Sequence, residues 1–316
     1  MRFAMMIEPQ QGLTYAEQLA VAQHSEAAGF GAFFRSDHYE SFPGPGDRPT
    51  TDAWAVLAGI ARETKTIRLG ALVSPVTYRL PGPFAKLVTT VDEMSGGRVD
   101  VAVGTGWHEL EHARYGIPFP PVAERADMLE ETLTILHGLW EEPDGWSYDG
   151  RHWRVVDSMF RPKPVQRPRP PILVGGGGSA RGLRIAANYA DEFNITEMNR
   201  AKIVERYAAL DAACEAIGRD PASIVRSAMI ALIVGRDADE IARRRAALLA
   251  GFATVDEGSA WLARHESDWI IGTPDDVREQ VEELVSIGVQ RLIFQDFLPR
   301  DLAMIDLLGS ELMAQR

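Results

Sequence analysis

Short apolar, β-branched runs alternate along this chain with longer segments whose apolar residues recur at helical spacing. The runs that predict strands are 3–8, 32–38, 67–74, 99–104, 171–174, 192–196, 224–234 and 291–297. Helical spacing falls between them, at 15–28, 52–63, 83–94, 122–140, 179–189, 201–217, 238–249 and 274–286. Several of these segments carry terminal signals. Asp52 and Thr273 stand where a cap acceptor is needed, Pro83 and Pro274 fall in first turns, and Gly29 closes the first helix. Eight strands in alternation with helices are what a closed parallel barrel requires, so the expected fold is α/β, a (β/α)8 TIM barrel formed by one domain over 1–316. An open doubly wound sheet is the competing architecture. It calls for a nucleotide-binding loop after its first strand, and Glu8-Pro9-Gln10-Gln11-Gly12 is not one.

Two stretches break the alternation and read as surface insertions, at about 142–170 and 251–268. In the first, Asp149-Gly150 lies between aromatic residues, the signature of a small β-hairpin. Composition then narrows the function. With 33 basic and 45 acidic residues the net charge is −12, which repels a phosphate backbone or an anionic membrane surface. The expected partner is a small-molecule substrate, with neither nucleic acid nor membrane. The lone Cys214 cannot close an internal disulfide, and residues 1–10 carry no charged-then-apolar leader, so a cytoplasmic location is expected.

In a barrel of this kind the active site lies at the C-terminal ends of the strands, which fixes where to look. Four ends stand out: Ser36-Asp37-His38, Leu72-Val73-Ser74, Gly104-Thr105-Gly106-Trp107 and Gly175-Gly176-Gly177-Gly178-Ser179. The last runs directly from a strand into a helix, where bare backbone N–H groups and a helix N-terminus can hold a phosphate. A flexible tight turn is the plainer reading. Gly104, Thr105 and Gly106 offer a second wall, although as a dinucleotide fingerprint they fail, because Glu109 stands where the third glycine should be. His38 is placed to donate or accept a proton near neutral pH, with Asp37 to tune or position it. Trp107 and Tyr78 are candidate walls, and Glu8, Asn194, Thr196 and Gln295 candidate pocket residues at other strand ends.

One motif points to other chemistry. His108-Glu109-Leu110-Glu111-His112 fits the pattern that, on a helix, presents two imidazoles to zinc with a glutamate as base. Gly116 and Pro118 follow almost at once, which limits the helix, and no third ligand is evident nearby. A solvated, capped first turn accounts for the same residues, and no metal is expected.

The residues at these strand ends resemble those of the bacterial luciferase-like monooxygenase superfamily, and within it the coenzyme F420-dependent oxidoreductases. The likeness rests on Ser36-Asp37-His38-Tyr39, the stretch 67–79, the stretch 92–98, Gly104 to Trp107 with Glu111 and Tyr115-Gly116, Pro162-Lys163-Pro164, the glycine run 175–178, Tyr189-Ala190-Asp191, and Ile271-Gly272-Thr273-Pro274. The resemblance implies a (β/α)8 barrel that forms a homodimer, with a flavin-like ring over a bulged third strand and a cis peptide at Leu72–Val73. It implies a phosphate site at 104–106 and 175–179, and a ring-edge pair at Asp37 and His38. The implied activity is hydride transfer between F420 and a small organic substrate. The alternative is an FMN-dependent monooxygenase served by a partner reductase, and a zinc hydrolase stands further off. The sugar-phosphate dehydrogenases of that family carry a glutamate directly after Gly-Thr-Gly. Here that place is held by Trp107, and only four of the 33 cationic residues are lysines.

Overall fold

The computed structural model describes residues 1–196 and 199–313. Its sheet runs through β1 (Arg2–Ile7), β2 (Ala32–Arg35), β3 (Arg68–Ala71), β4 (Ser74–Pro75), β5 (Val101–Gly104), β8 (Ile172–Gly175), β9 (Glu192–Ile195), β10 (Val225–Val234), β11 (Ile270–Gly272) and β12 (Arg291–Asp296). The order β3-β2-β1-β12-β10-β9-β8-β5-β4 is parallel throughout. A parallel bridge from Leu69 to Val99 closes the ring. The expected third strand is present in two pieces, β3 and β4, divided by a cis Leu72–Val73 peptide. One strand was not anticipated: β11 pairs with the far half of the ten-residue β10, from Leu232 to Val234.

The helices are α1 (Tyr15–Ala27), α2 (Ala53–Glu63), α3 (Pro81–Ser95), α4 (Glu109–Arg114), α5 (Val122–Glu141), α6 (Ala180–Tyr189), α7 (Arg200–Glu215), α8 (Ala238–Leu249), α9 (Val255–His265), α10 (Pro274–Ser286) and α11 (Leu302–Leu312). Asp52 and Thr273 cap α2 and α10 by accepting backbone N–H groups, and Ser179 caps α6. The stretch 142–170 holds the expected hairpin, β6 (Trp146–Asp149) against β7 (Arg154–Ser158). The stretch 251–268 is largely the helix α9. Among the described residues no helix is long and apolar enough to cross a membrane.

Strand alternation separates two cores. Phe3, Met5 and Ile7 pack outward beneath the helices, whereas Ala4 and Met6 point into the barrel with Ala32, Phe34, Ala102, Leu173 and Ile293. The small residues make room for Phe34; a Cβ on Gly70 would stand 2.8 Å from its ring. Below Phe34 the barrel is plugged by charge. Arg291 donates to Glu192 and to Asp100, each at 3.0 Å, and Arg68 Nε donates to Asp100 at 2.6 Å. Paired this way, buried charges are tolerable. The interior is therefore filled at the strand N-termini and open only at their C-terminal ends.

Candidate functional site

A cavity of about 780 Å³ opens at those C-terminal ends. It is lined by Met6 and Glu8 after β1, Ser36 and His38 after β2, and Leu72 and Val73 between β3 and β4. Gly104 to Trp107, Gly175 to Gly177, Asn194 and Thr196, Met229, Gln295 and Phe297 complete the ring of strand ends. A second cavity of similar volume, about 800 Å³, lies between Arg48, Phe252 and Arg300 and holds none of the sequence-predicted site residues. The strand-end cavity is the candidate site.

Its polar centre is His38. The ring lines the cavity, and Nδ1 lies 3.0 Å from Oε1 of Glu111, on α4. Glu111 is fully buried and also accepts the Tyr78 hydroxyl and the backbone N–H groups of Tyr39 and Glu40. Burial alone would push its carboxyl up; the His38 hydrogen bond, with the Tyr78 and Glu40 donors, holds it below the usual carboxylate range. Glu111 is therefore an anion at neutral pH. It keeps the His38 proton on Nδ1, which leaves Nε2 for the cavity. The Tyr78 hydroxyl is pushed up, by burial first and then by Glu111, so it stays a donor. His108, beside His38, is lowered by burial and is a neutral ring at pH 7.

Asp37 does not share this arrangement. Its carboxylate is buried behind the strand end, where it accepts from Arg79 Nη2 at 3.2 Å and from the Ser74 hydroxyl at 3.0 Å. Arg79 bonds Asp52 as well, at 2.7 Å. Ser74 accepts from the Trp54 indole N–H at 2.8 Å. Asp37 and Ser74 thus support the wall of the cavity rather than line it, and the carboxylate that holds His38 is Glu111. The resemblance had included Glu111, but nothing local to His38 marks it, because the two lie 73 residues apart. Arg79 ends the stretch 67–79 that carries the resemblance, but nothing in the sequence assigned it a role.

The glycine ends form an open cradle. Val73 lies between two of them, so that a Cβ on Gly104 would stand 2.8 Å from Val73 Cγ2 and one on Gly175 3.0 Å from Cγ1. A Cβ on Gly176 would meet nothing within 4 Å: the backbone there faces open space. Gly106 has φ +77°, a conformation that suits glycine. The run divides at its end, because Gly178 and Ser179 face a shallower cleft, which Gly177 shares, beside Lys202 and Arg206. Bare backbone beneath a cavity of this volume, with a positioned imidazole on its wall, fits a flat ring cofactor carrying a phosphate.

The zinc pattern is dismantled by its own contacts. The solvated first turn expected there is also corrected, because Glu111 and His112 are both buried. His112 Nδ1 bonds the His108 carbonyl at 2.8 Å and Nε2 bonds the Thr77 hydroxyl at 2.7 Å, so both ring nitrogens are engaged. Glu109 is exposed. Among the described residues no group of three or more potential ligands could hold a metal ion.

Two aromatic walls face the cavity. One is Phe42, Trp107 and His108 around His38; the other, which sequence reasoning missed, is Trp261, Trp269 and Phe297. Trp261 and His265 reach the cavity from α9, so the supposed insertion builds part of the site.

Comparison with known proteins agrees with this architecture. A family model described as luciferase-like monooxygenase matches residues 1–291. An FMNH(2)-dependent dimethylsulfone monooxygenase from Pseudomonas putida is 29% identical over 309 residues, covering 89% of this chain and 79% of the relative. An F420-dependent glucose-6-phosphate dehydrogenase from Microbacterium testaceum is 26% identical over 294 residues, covering 86% and 84%. The solved structure of a coenzyme F420-dependent tetrahydromethanopterin reductase from Methanopyrus kandleri superposes with a TM-score of 0.80 at 20% identity, over 99% of each chain. That superposition establishes the barrel fold.

Proposed function

Because the chain belongs to the luciferase-like monooxygenase family, a family of oxidoreductases and monooxygenases, we propose that it is an F420-dependent oxidoreductase, moving a hydride between the deazaflavin and a small organic substrate. The observation that carries this reading is the pairing, in one cavity, of an open glycine cradle with an imidazole whose proton is fixed by a buried carboxylate. When bound, the deazaflavin ring supplies the carbon that carries the hydride.

The chain's own residues supply the rest. Gly104 to Gly106 and Gly175 to Gly177 would hold the phosphate through backbone, with Gly178 and Ser179 shaping the turn into α6. Leu72 and Val73 form the apolar bed for the ring, with Ser74 fixing that bed from behind through Asp37 and Trp54. Trp107 and the α9 aromatics exclude water. His38 delivers a proton from, or takes one at, Nε2 as charge develops on the substrate, and Glu111 stabilises the imidazolium when it forms. Asp37 acts at one remove, anchoring Arg79 and the strand end. The expected homodimer and cytoplasmic location belong to the same reading.

A second reading, an FMN-dependent monooxygenase with a partner reductase, is favoured by the Pseudomonas putida relative. Titration of the purified chain with F420 and, separately, with FMN, followed by cofactor fluorescence, decides between them. Tighter binding of F420 is expected. Tighter binding of FMN, with turnover coupled to a flavin reductase, overturns the proposal.

A further inference from the structure

The proposed function leaves the substrate open, and the cavity's charge and shape narrow it. Among the described residues that line it there is no lysine or arginine, although the chain carries 33 such residues. Two carboxylates do reach it, Glu8 and Glu111. Glu111 is saturated by its four donors. Glu8, nearly buried on the floor, accepts Gln10 Nε2 at 2.7 Å on one oxygen and Gln295 Nε2 at 2.5 Å on the other. Gln10 is itself oriented by the Ser36 hydroxyl, which donates to its Oε1 at 2.5 Å. Each oxygen of a carboxylate has two acceptor positions, so Glu8 keeps capacity for a further donor. Of the guanidinium groups behind this end of the cavity, Arg79 is committed to Asp37 and Asp52, and Arg35 to Gln18, Thr51 and the Ser36 carbonyl.

Above that floor the walls are aromatic. Trp269 stacks on Phe297 at 5.1 Å between centroids, with Trp261 edge-on to both at 5.5 Å. Across the cavity Phe42 meets Trp107 at 5.3 Å. Such walls bury an apolar body, and the Glu8 end of the cavity, across the barrel from the glycine cradle where the cofactor phosphate would sit, carries acceptors and negative charge that disfavour an anion there.

Resting on the proposed function, we infer that the substrate is an uncharged organic molecule with a ring or chain of apolar body and one N–H or O–H group, which it presents to Glu8. A substrate that would place a phosphate or carboxylate against Glu8 is excluded. Glu8 is then a specificity residue, and Gln10 and Gln295 position it.

The test uses isosteric probes on the full chain loaded with whichever of the two cofactors it binds. Benzyl alcohol and benzoate share a ring and differ in charge; their affinities are read by ligand-observed NMR and by quenching of the cavity tryptophans. Benzyl alcohol should bind at least about tenfold more tightly than benzoate in the native chain, and Glu8→Gln should narrow that ratio to about threefold or less. Equal or tighter binding of benzoate overturns the inference, as does an unchanged ratio in a folded Glu8→Gln chain. If Glu8→Gln does not fold, the native ratio alone decides. Failure here with a cofactor bound sinks only the substrate class, whereas failure of both cofactors to bind sinks the proposed function itself.

Discussion

Replacing Glu111 by glutamine removes a charge while keeping the side chain's shape. Four donors converge on the native carboxylate: His38 and the Tyr78 hydroxyl on Oε1, and the Tyr39 and Glu40 backbone N–H groups on Oε2. An amide oxygen can accept from one pair, but its NH2 group then confronts the other. With the backbone pair retained, His38 must carry its proton on Nε2 and Tyr78 must turn its hydroxyl. Hydrogen bonds to a charged group contribute about 1.5–3 kcal/mol each and neutral ones about 1 kcal/mol. Two bonds weakened and two rebuilt in reverse place the cost at about 3 kcal/mol, a large share of the ~5–15 kcal/mol that holds a typical domain together. Urea unfolding followed by tryptophan fluorescence at neutral pH measures it. The sign with pH follows from the depressed carboxyl. Its contribution is complete above the ordinary value of 4.5 and is lost as pH falls through the lower folded value, so the gap between native chain and variant should close on acidification. A gap under about 0.5 kcal/mol at neutral pH, within the range of ordinary surface substitutions, would refute the reasoning. So would a gap of constant size down to acid pH.

The same site and its surroundings yield three further expectations. Asp296 is buried with Oδ2 making no hydrogen bond, and burial pushes its carboxyl up to about 7. A raised folded value means its stabilising contribution is present at acid pH and lost as pH rises to neutrality, so Asp296→Asn should stabilise by about 2–4 kcal/mol above neutrality and change little near pH 4, as read by thermal melts across pH. A Cβ on Gly176 meets nothing, so Gly176→Val should leave the melting temperature nearly unchanged while weakening cofactor binding at least about tenfold in a fluorescence titration; a destabilised chain or an unaltered affinity counts against the cradle. His38→Asn should bind cofactor as the native chain does but slow the chemical step by about 10²–10⁴-fold in single-turnover kinetics, and a native rate with an identified substrate makes His38 a rim residue.

The barrel is written in the sequence because each of its strands is an apolar run between turn signals, and the caps at Asp52, Ser179 and Thr273 stand at the helix starts. What lacked a local period was not legible. β11 is three residues long and exists only because β10 extends far enough to pair with it. α9 does carry an inward stripe, Gly258, Trp261, Leu262 and His265, but with a glycine and a histidine in it only two of the four are large apolar residues, too few to mark a helix. Glu111 and His112 are adjacent, yet both are drawn inward, one by His38 and the other by Thr77, which a reading of α4 as a solvated turn does not anticipate. The strand ends were found by position alone. Their division of labour, with His38 facing the cavity and Asp37 bound to Arg79 behind it, depends on partners distant in the chain.

A crystal structure of the chain with F420 bound tests the central claim most directly. Density for the deazaflavin ring against Leu72 and Val73, with the phosphate on the backbone of Gly175 to Gly177 and His38 Nε2 facing the ring edge, is the predicted result. A phosphate seated elsewhere, or a ring outside the strand-end cavity, contradicts it.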